Sequence, residues 1–384
     1  MKRYFSEEHI MLQKMVQEFA EKEVKPFAQK IDSESKFPSD IIDKMSKLGL
    51  LGIPWDEKYN GIGMDTMSLV IAIEEIGKIC TSTAVTMMAH TSLGSGPIAY
   101  FGTEEQKQKY LTKLATGKIL GAFGLTEPNA GSDAGGTQTT AKLSGDYYIV
   151  NGQKSFCTNA GHSGTIIITA KIEDENSDKS NIGAFIVESD SEGLKFGSPE
   201  KKMGWKGSDT RSVFFENVKV PRENILGDPE KGFSQFLETL TGGRITIGSL
   251  SLGIAQGAFN AAVKYSKERE AFGKEINKFQ GVSFKISDMA TKIEAAKHLV
   301  YHAAWLKDNN LPFIKEAAMA KLFSSEAAMN ITTEAIQIHG GYGYIKEYDV
   351  ERYFRDAKIL EIGEGTSEVQ RIIISREILK NINI

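Results

Sequence analysis

The chain has 384 residues, of which 41% are hydrophobic. This apolar content exceeds what one compact core usually holds, so two or three packed domains are expected and a single small module is excluded. The 46 basic and 50 acidic residues give a formal charge of −4. No long run of one sign indicates a nucleic-acid groove or a polybasic membrane tether, so we expect no nucleic-acid partner.

Cysteine content and the N-terminal sequence bear on the compartment. The two cysteines, Cys80 and Cys157, form no paired framework, and we interpret them as reduced thiols. The N-terminal sequence MKRYFSEEHIMLQKM lacks the continuous apolar segment of a signal peptide, and no later stretch is apolar enough to span a bilayer. The sequence therefore predicts a cytoplasmic protein without membrane insertion.

Residues 1–120 are predicted to form a helical domain. Apolar residues recur at helical spacing between Ser6 and Pro26, which indicates an amphipathic opening helix. Glycine and proline separate this helix from later stretches with the same spacing. These predicted helices occupy residues 39–50, 66–79 and 104–116.

Residues 121–230 are predicted to form a β domain. Short segments with alternating or β-branched apolar residues follow one another, separated by Gly, Asn, Asp and Pro. The predicted strands are Tyr147–Val150, Thr165–Ala170, Gly183–Val187 and Ser212–Val220. Glu173–Ser180, with the sequence EDENSDKS, is predicted to be a polar surface loop.

Helical spacing returns in residues 231–384. Ile286, Met289 and Ile293 lie three and four residues apart, and the Gly/Ala-rich stretch Ile245–Tyr265 suits close helix packing. The predicted fold class is therefore α+β with several domains: helical, then β, then a helical bundle.

The segment LTEPNAGSD (Leu125–Asp133) contains features of a ligand-binding loop. Thr126 and Ser132 offer hydroxyl groups, and Pro128 stiffens a turn. Gly131 allows the backbone to approach a flat ring or a phosphate closely. An ordinary turn is the open alternative.

Two further segments contain groups suited to a nucleotide. The segment REAFG (269–273), followed by Phe279 and Gln280, combines a guanidinium, aromatic rings and an amide. A surface arginine beside a core phenylalanine is the alternative. The segment QIHGGYGY (337–344) must end a helix because it is rich in glycine, but it is not a GxGxxG fingerprint and no strand precedes it. A Rossmann nicotinamide site is not supported.

Glu364 is the candidate reactive carboxylate. Because it lies between Gly363 and Gly365, little side-chain bulk surrounds it, and its carboxylate is expected on a bend that is open to a ligand. A plain loop glutamate is the alternative, and composition does not choose between the two.

Two histidines are candidate metal ligands. His298 and His302 lie one helical turn apart, with Glu294 a turn earlier, and this geometry could bind zinc. The same spacing arises on any solvated helix face, and no HExxH motif surrounds it. We expect no metal.

Seven separated motifs together resemble the acyl-CoA dehydrogenase family, in particular its short- and medium-chain, butyryl-CoA dehydrogenase-like members. In chain order they are LTEPNAGSD, KSFCTNAG, KKMGWKGSDT, RENILG, REAFGKEINKFQ, QIHGGYGY and EGTSEVQR. The resemblance covers essentially the whole chain. It implies an N-terminal helical domain, a middle β-barrel or sandwich domain and a C-terminal four-helix bundle, assembled as a homotetramer of paired dimers.

The resemblance also implies FAD as cofactor and acyl-CoA as substrate. Phe156 and Thr158 would lie against the flavin ring, while Arg269, Phe272 and Gln280 would reach the FAD of a neighbouring subunit. The full set of implied cofactor residues is Leu125, Thr126, Ser132, Phe156, Thr158, Arg269, Phe272, Gln280, Gln337, Gly340, Gly341, Thr366 and Glu368. The implied substrate residues are Ser132, Thr241, Arg244 and Gly365.

By the same resemblance, Glu364 would be the catalytic base. The position that supplies the base in isovaleryl-type relatives is Gly243 here, which leaves one candidate. The implied reaction converts a fatty acyl-CoA to a trans-2-enoyl-CoA and passes electrons to electron-transfer flavoprotein, as in fatty acid β-oxidation. An oxidase-like enzyme using oxygen, and a non-catalytic flavin- or acyl-CoA-binding protein, are the alternatives.

Two positions depart from the family pattern. Phe156 stands where relatives usually have tryptophan, which affects flavin shielding and the surface through which electrons leave. Gly363 stands where a tyrosine is common before the base, and its lack of a side chain should enlarge the pocket. We therefore expect tolerance of a branched, polar or bulky acyl group.

Overall fold

A computed structural model of the chain describes residues 4–173 and 181–380, so nearly all of the loop expected at Glu173–Ser180 lies outside the described residues. The first part of the chain is helical, and three of its helical segments continue through wider π-type turns at Ala20–Val24, Ala89–Ser95 and Lys107–Leu111. Its α-helices are α1 (Glu7–Phe19), α2 (Ala28–Glu34), α3 (Ser39–Lys47), α4 (Thr66–Gly77), α5 (Thr81–Met88), α6 (Gly96–Phe101), α7 (Glu104–Gln106) and α8 (Thr112–Ala115).

Local sequence explains where α1 begins and how it packs. The Ser6 hydroxyl accepts a hydrogen bond from the His9 backbone N–H, and His9 Nδ1 accepts one from the Ser6 N–H, so the first turn is capped in both directions. Leu12, Val16 and Phe19 form the buried stripe of this helix. They join the core around α4, in which every residue is buried.

A carboxylate of the third domain caps the start of α4. Asp308 accepts hydrogen bonds from the backbone N–H groups of Thr66 and Met67 at 2.8 and 2.9 Å. A negative charge at a helix N-terminus satisfies free donors and complements the helix dipole. The contact fixes the first domain against the end of a helix that follows the β domain.

The middle region forms one connected seven-stranded sheet. Its strands are β1 (Leu120–Gly124), β2 (Thr140–Ser144), β3 (Tyr147–Thr158), β4 (Ser163–Glu173), β5 (Asn181–Glu188), β6 (Leu194–Phe196) and β7 (Thr210–Pro221). The order is β1-β4-β2-β3-β7-β6, with β5 also pairing with β4. The four strands expected from sequence lie within β3, β4, β5 and β7, whereas the short strands β1, β2 and β6 were missed.

The last region is helical again. It contains α9 (Gly232–Glu268), a small hairpin of β8 (Glu270–Ala271) and β9 (Lys274–Glu275), then α10 (Gln280–Asp308), α11 (Ile314–His339), α12 (Val350–Ala357) and α13 (Ser367–Lys380). Helices α9, α10 and α11 pack against one another, and α13 packs on α11.

Small residues allow α9 to approach α4 closely. A Cβ atom at Gly253 would lie 2.7 Å from the Glu74 carbonyl oxygen, and one at Gly257 would lie 2.4 Å from that of Lys78. The close packing predicted for the Gly/Ala-rich stretch is therefore present. The expected fold class is confirmed, while domain limits at residues 120 and 230 stay a prediction. None of the described helices has both the length and the apolar character needed to cross a bilayer.

Candidate active site

Glu364 lies in a strained turn between α12 and α13. Its φ is +53° and that of Gly365 is +91°. A glutamate rarely adopts this left-handed conformation, so the surroundings must hold it there. Two side chains do so by donating hydrogen bonds to the Gly365 carbonyl oxygen, Lys321 Nζ at 2.7 Å and Gln370 Nε2 at 2.9 Å.

The Glu364 carboxylate lies over a bare stretch of α9. A Cβ atom at Gly243 would be only 2.3 Å from Glu364 Oε2, so any side chain there would displace the carboxylate. The buried side chain of Leu93 lines the same space, 3.5 Å from that Cβ position. Gly243 therefore provides no base of its own and leaves room for Glu364.

Glu364 is half-buried, and within the described part of the chain its Oε2 atom is buried without a hydrogen-bond partner. The nearby Arg244 Nε likewise has no hydrogen-bond partner among those residues. Burial raises the pKa of Glu364 to about 7, although the positive charges of Lys321 and Arg244 oppose that rise. A carboxylate with this pKa can accept a proton near neutral pH.

Arg244 and Thr241 lie together on α9 beside this carboxylate. Arg244 Nη1 donates to Thr241 Oγ1 at 3.0 Å, and both residues are buried. Burial lowers the pKa of Arg244 to about 10, so the guanidinium stays charged at neutral pH. The structure thus brings together Glu364, Gly365, Arg244 and Thr241, while their roles stay a prediction.

A second group of expected residues meets at the edge of the β domain. The Ser155 N–H donates to the Thr126 carbonyl oxygen at 2.7 Å, which ties the LTEPNAGSD loop to β3. On β3, Phe156 has a φ of +56° and its side chain is 65% exposed, while Thr158 is half-buried. Leu125 is half-buried and Ser132 is exposed. An exposed aromatic ring in a strained conformation presents a flat apolar surface for a planar ligand.

A buried ion pair anchors this loop, and sequence reasoning missed it. Lys154 is fully buried, and its Nζ donates to Glu127 Oε1 at 2.6 Å and to the Leu125 carbonyl oxygen at 3.3 Å. Burial raises the pKa of Glu127, but hydrogen bonds from Lys154, Thr137 and Thr139 outweigh this and lower it to about 2. The signal in the sequence was a lysine at an inward-facing position of a strand.

A third group lines a groove on the C-terminal bundle. Arg269 lies 5.7 Å from the ring centroid of Tyr342, and Gly340 and Gly341 border the same groove. A Cβ atom at either glycine would meet no described atom within 4 Å, so the backbone there is open to a ligand. Gln337 is exposed near the end of α11.

Four more expected residues lie at the ends of elements. Phe272, at the tip of the β8–β9 hairpin, is 94% exposed with a φ of +51°. Gln280 is exposed at the start of α10. Thr366 accepts a hydrogen bond from the Val369 N–H at 3.3 Å and so caps α13, in whose first turn Glu368 is exposed.

The two candidate zinc ligands, His298 and His302, contact different residues. His298 Nε2 lies 3.5 Å from Glu294 Oε1, and both side chains are mostly exposed. The ring of His302 stacks instead on Trp305, with centroids 6.3 Å apart. Across residues 4–173 and 181–380, no group of three or more histidine, cysteine or acidic residues is placed to hold a metal ion.

Comparison with known proteins assigns the whole chain. Three family models match in chain order: "Acyl-CoA dehydrogenase, N-terminal domain" at residues 6–118, "Acyl-CoA dehydrogenase, middle domain" at 122–218 and "Acyl-CoA dehydrogenase, C-terminal domain" at 230–379. A probable acyl-CoA dehydrogenase of Bacillus subtilis, YngJ, is 54% identical over 375 residues, which are 98% of this chain and 99% of the relative. The caffeyl-CoA reductase-Etf complex subunit CarC of Acetobacterium woodii is 49% identical over 98% of this chain and 100% of its own.

Solved structures agree. Butyryl-CoA dehydrogenase from Megasphaera elsdenii superposes with a TM-score of 0.95 at 44% identity, covering 98% of this chain and 99% of that one. An acyl-CoA dehydrogenase from Bacillus anthracis, solved in complex with FAD, gives a TM-score of 0.92 at 36% identity over 98% of this chain and 67% of its own. Fold and site define an FAD-dependent oxidoreductase. The chain belongs to the acyl-CoA dehydrogenase family.

The residues of this chain fit FAD. The exposed ring of Phe156 beside Thr126 offers a surface for the flavin, and the open backbone at Gly340 and Gly341 offers room for a nucleotide. Arg269 in the same groove has the charge that a diphosphate requires.

The environment of Glu364 predicts the pH dependence of the reaction. Because a base must be ionised to accept a proton, and because the pKa of Glu364 is raised to about 7, the rate should rise with pH and level off above pH 8. Anaerobic stopped-flow measurement of flavin bleaching by acyl-CoA between pH 5.5 and 9 measures this profile. A rate already at its maximum at pH 5.5 would contradict the assignment.

Proposed function

We propose that this protein dehydrogenates a fatty acyl-CoA thioester to the trans-2-enoyl-CoA, with Glu364 removing the α-proton and with electron-transfer flavoprotein as the acceptor. The buried, hydrogen-bond-free Oε2 atom of Glu364 is the observation that carries the proposal. A structural carboxylate at this depth would be paired, whereas a base must keep one oxygen available.

The surroundings of Glu364 suit it to deprotonate a weak carbon acid. Burial next to Leu93 and Gly243 excludes water from Oε2 and strengthens electrostatic effects there. The positive charges of Arg244 and Lys321 keep a sufficient fraction ionised near pH 7. After proton transfer the carboxylic acid is neutral, which burial favours. FAD, when bound, supplies the acceptor for the hydride from the β-carbon.

The ligand residues divide into two proposed sets. Around the reacting carbons, the substrate would contact Ser132, Thr241, Arg244 and Gly365, and the flavin would contact Leu125, Thr126, Ser132, Phe156 and Thr158. The second set would bind the FAD of a neighbouring subunit or its diphosphate and adenine end, with Thr366 and Glu368 as further contacts: Arg269, Phe272, Gln280, Gln337, Gly340 and Gly341.

We further propose a homotetramer of paired dimers that works in the cytoplasm in fatty acid β-oxidation. Phe272 supports the assembly, because its ring is 94% exposed although its edge contacts Phe279, and a large exposed aromatic ring is typical of an interface. The bacterial relatives support the cytoplasm. CarC, named as a subunit of a reductase-Etf complex, supports electron-transfer flavoprotein as partner.

A second candidate reaction is the reverse one, reduction of a bulky enoyl-CoA. Its support is the open space at Gly363, together with the similarity to a caffeyl-CoA reductase subunit. Among the described residues, a Cβ atom at Gly363 would contact only Ile359, at 3.5 Å. The same base and flavin site would serve both directions, so Gly363 bears on the substrate rather than on the chemistry.

Removal of the base should abolish flavin reduction. The experiment mixes the purified holoenzyme anaerobically with butyryl-, isobutyryl-, palmitoyl- and 3-phenylpropionyl-CoA and follows the flavin absorbance. We expect at least one of them to bleach the flavin, and Glu364→Gln to slow that bleaching by about 100-fold or more. Glu361→Gln is the matched control, since this carboxylate lies in the same segment but pairs with Lys358.

If Glu364→Gln bleaches as fast as the parent, Glu364 is not the base. A flavin that none of the four thioesters bleaches would favour the binding-protein alternative instead.

The electron acceptor can be determined with the bleached enzyme. We expect electron-transfer flavoprotein to restore the flavin absorbance at least tenfold faster than air-saturated buffer, because a desolvated site that retains its product excludes oxygen. Stopped-flow reoxidation, with peroxide measured in the same samples, provides the comparison. Rapid reoxidation by air with stoichiometric peroxide would identify an oxidase.

Gly363 should determine the width of the pocket. Gly363→Tyr is expected to lower the ratio of activities on 3-phenylpropionyl- or isobutyryl-CoA to butyryl-CoA by about tenfold, since a ring would fill space that the bulky acyl group needs. Gly363→Ala is the control, because its methyl group makes only ordinary contact with Ile359. An unchanged ratio in Gly363→Tyr would disprove the role of Gly363.

A further inference from the structure

Lys321 is a buried lysine beside the turn that carries Glu364. It lies on the inner face of α11, between the small buried residues Ala317 and Ser324, and it is 0% exposed. Its Nζ donates to the Gly365 carbonyl oxygen at 2.7 Å. Among the described residues, no carboxylate lies within 4.0 Å to form a salt bridge with it. A buried ammonium without a salt bridge is costly, so its retention requires a reason.

The charges around Lys321 indicate that reason. Glu364 influences it more strongly than any other charge, followed by Glu361 and Arg244, and then Glu368 at the start of α13. The relation is reciprocal, because Lys321 is also the strongest charge acting on Glu364, ahead of Arg244. The positive charge of Arg376 lowers the pKa of Arg244. Lys321 therefore contacts the turn that carries the candidate base, and within the described ranges it forms no ion pair of its own.

Holding the turn does not by itself require a charge. Gln370 Nε2 donates to the same Gly365 carbonyl oxygen at 2.9 Å and to that of Glu364 at 3.5 Å. A second neutral donor would therefore hold the backbone equally well, at a lower desolvation cost than an ammonium. The positive charge of Lys321 must serve another purpose.

We propose that Lys321 is a positioning residue for the base: its Nζ fixes the turn that carries Glu364, and its charge keeps the Glu364 carboxylate ionised. The proposal rests on the function proposed for Glu364. In this arrangement the carboxylate stays free of direct partners, so it remains reactive, while a cation held one residue away on the backbone offsets the penalty of burial.

The pH behaviour follows from the charges. Burial lowers the pKa of Lys321 to about 8, so it still carries most of its charge at pH 7. Without that charge, only Arg244 opposes the effect of burial, and the pKa of Glu364 must rise further above 7. The ionised fraction of the base at neutral pH then falls, whereas at high pH the base is ionised in either case.

The test compares four variants of the full-length holoenzyme. Lys321→Met removes the charge and the hydrogen bond, and Lys321→Gln removes the charge but keeps an N–H donor. Lys321→Arg keeps a cation. Gln370→Met removes the neutral donor from the same carbonyl oxygen and leaves every charge in place. FAD content and thermal midpoint identify any variant that does not fold, and Lys321→Gln replaces Lys321→Met if the latter fails.

Two measurements are made on each variant. The first is the pH profile of anaerobic flavin bleaching by the best acyl-CoA. The second is an infrared titration of the protonated carboxyl band without substrate, assigned to Glu364 by its loss in Glu364→Gln. We expect Lys321→Met and Lys321→Gln to move both midpoints up by about one pH unit, with an approximately fivefold lower rate at pH 7 and recovery at high pH. Lys321→Arg and Gln370→Met should keep the parent midpoints.

Unchanged midpoints in both neutral variants, or an equal shift in Gln370→Met, would overturn the role of the charge and leave Lys321 as a hydrogen-bond donor only. The infrared titration separates this failure from a failure of the proposed function, because it requires no turnover. If Glu364 is not the base, the bleaching profile loses its dependence on Glu364, but the infrared midpoint still reports whether Lys321 controls this carboxyl group.

Discussion

The rest of the candidate site depends on one carboxylate oxygen, Glu364 Oε2, which is buried without a hydrogen-bond partner in the described part of the chain. The middle β domain contains another buried carboxylate, Glu127, which receives hydrogen bonds from Lys154, Thr137 and two backbone N–H groups and has a pKa of about 2. Glu364 has no partner at Oε2 and a pKa of about 7. Burial acts in the same direction on both, so hydrogen bonding decides which one is an anchor and which one can be a base.

This contrast explains the arrangement of the third domain. Glu364 Oε2 stays without a hydrogen-bond donor because the two nearby cations donate to other groups. Arg244 donates to Thr241, and Lys321 donates to the Gly365 carbonyl oxygen. The carboxylate also needs a space without side chains, which α9 provides at Gly243. Helices α9 and α11 and the strained turn at Glu364 therefore position this carboxylate together. A change in their packing would alter the surroundings of Oε2.

The sequence shows where an unusual residue type or motif stands. It does not show which polar side chains the fold buries. The resemblance indicated Glu364, Arg269 and the QIHGGYGY segment, and helical spacing predicted long helices such as α10. Helix α5 was missed because all of its residues are buried, which removes the alternation of apolar and polar faces. Lys321 was missed because a lysine in a helix normally lies in solvent, and only the fold shows that its face is closed.

Strained backbone conformations occur at separate parts of the proposed site, both at the candidate base and at residues expected to contact FAD. Asparagine tolerates positive φ well, but among the described residues four large side chains other than asparagine adopt it: Phe156, Trp205, Phe272 and Glu364. Three of the four were implied site residues, and they lie in three different structural contexts: a strand, a hairpin tip and an interhelical turn. Such strain persists only where packing enforces it, and at Glu364 the enforcing contacts are visible. At Phe272 the β8–β9 hairpin enforces it, because Phe272 and Gly273, with φ of +51° and +77°, form the two-residue turn between the paired residues Ala271 and Lys274, and a tight hairpin turn of this kind requires positive φ at both positions.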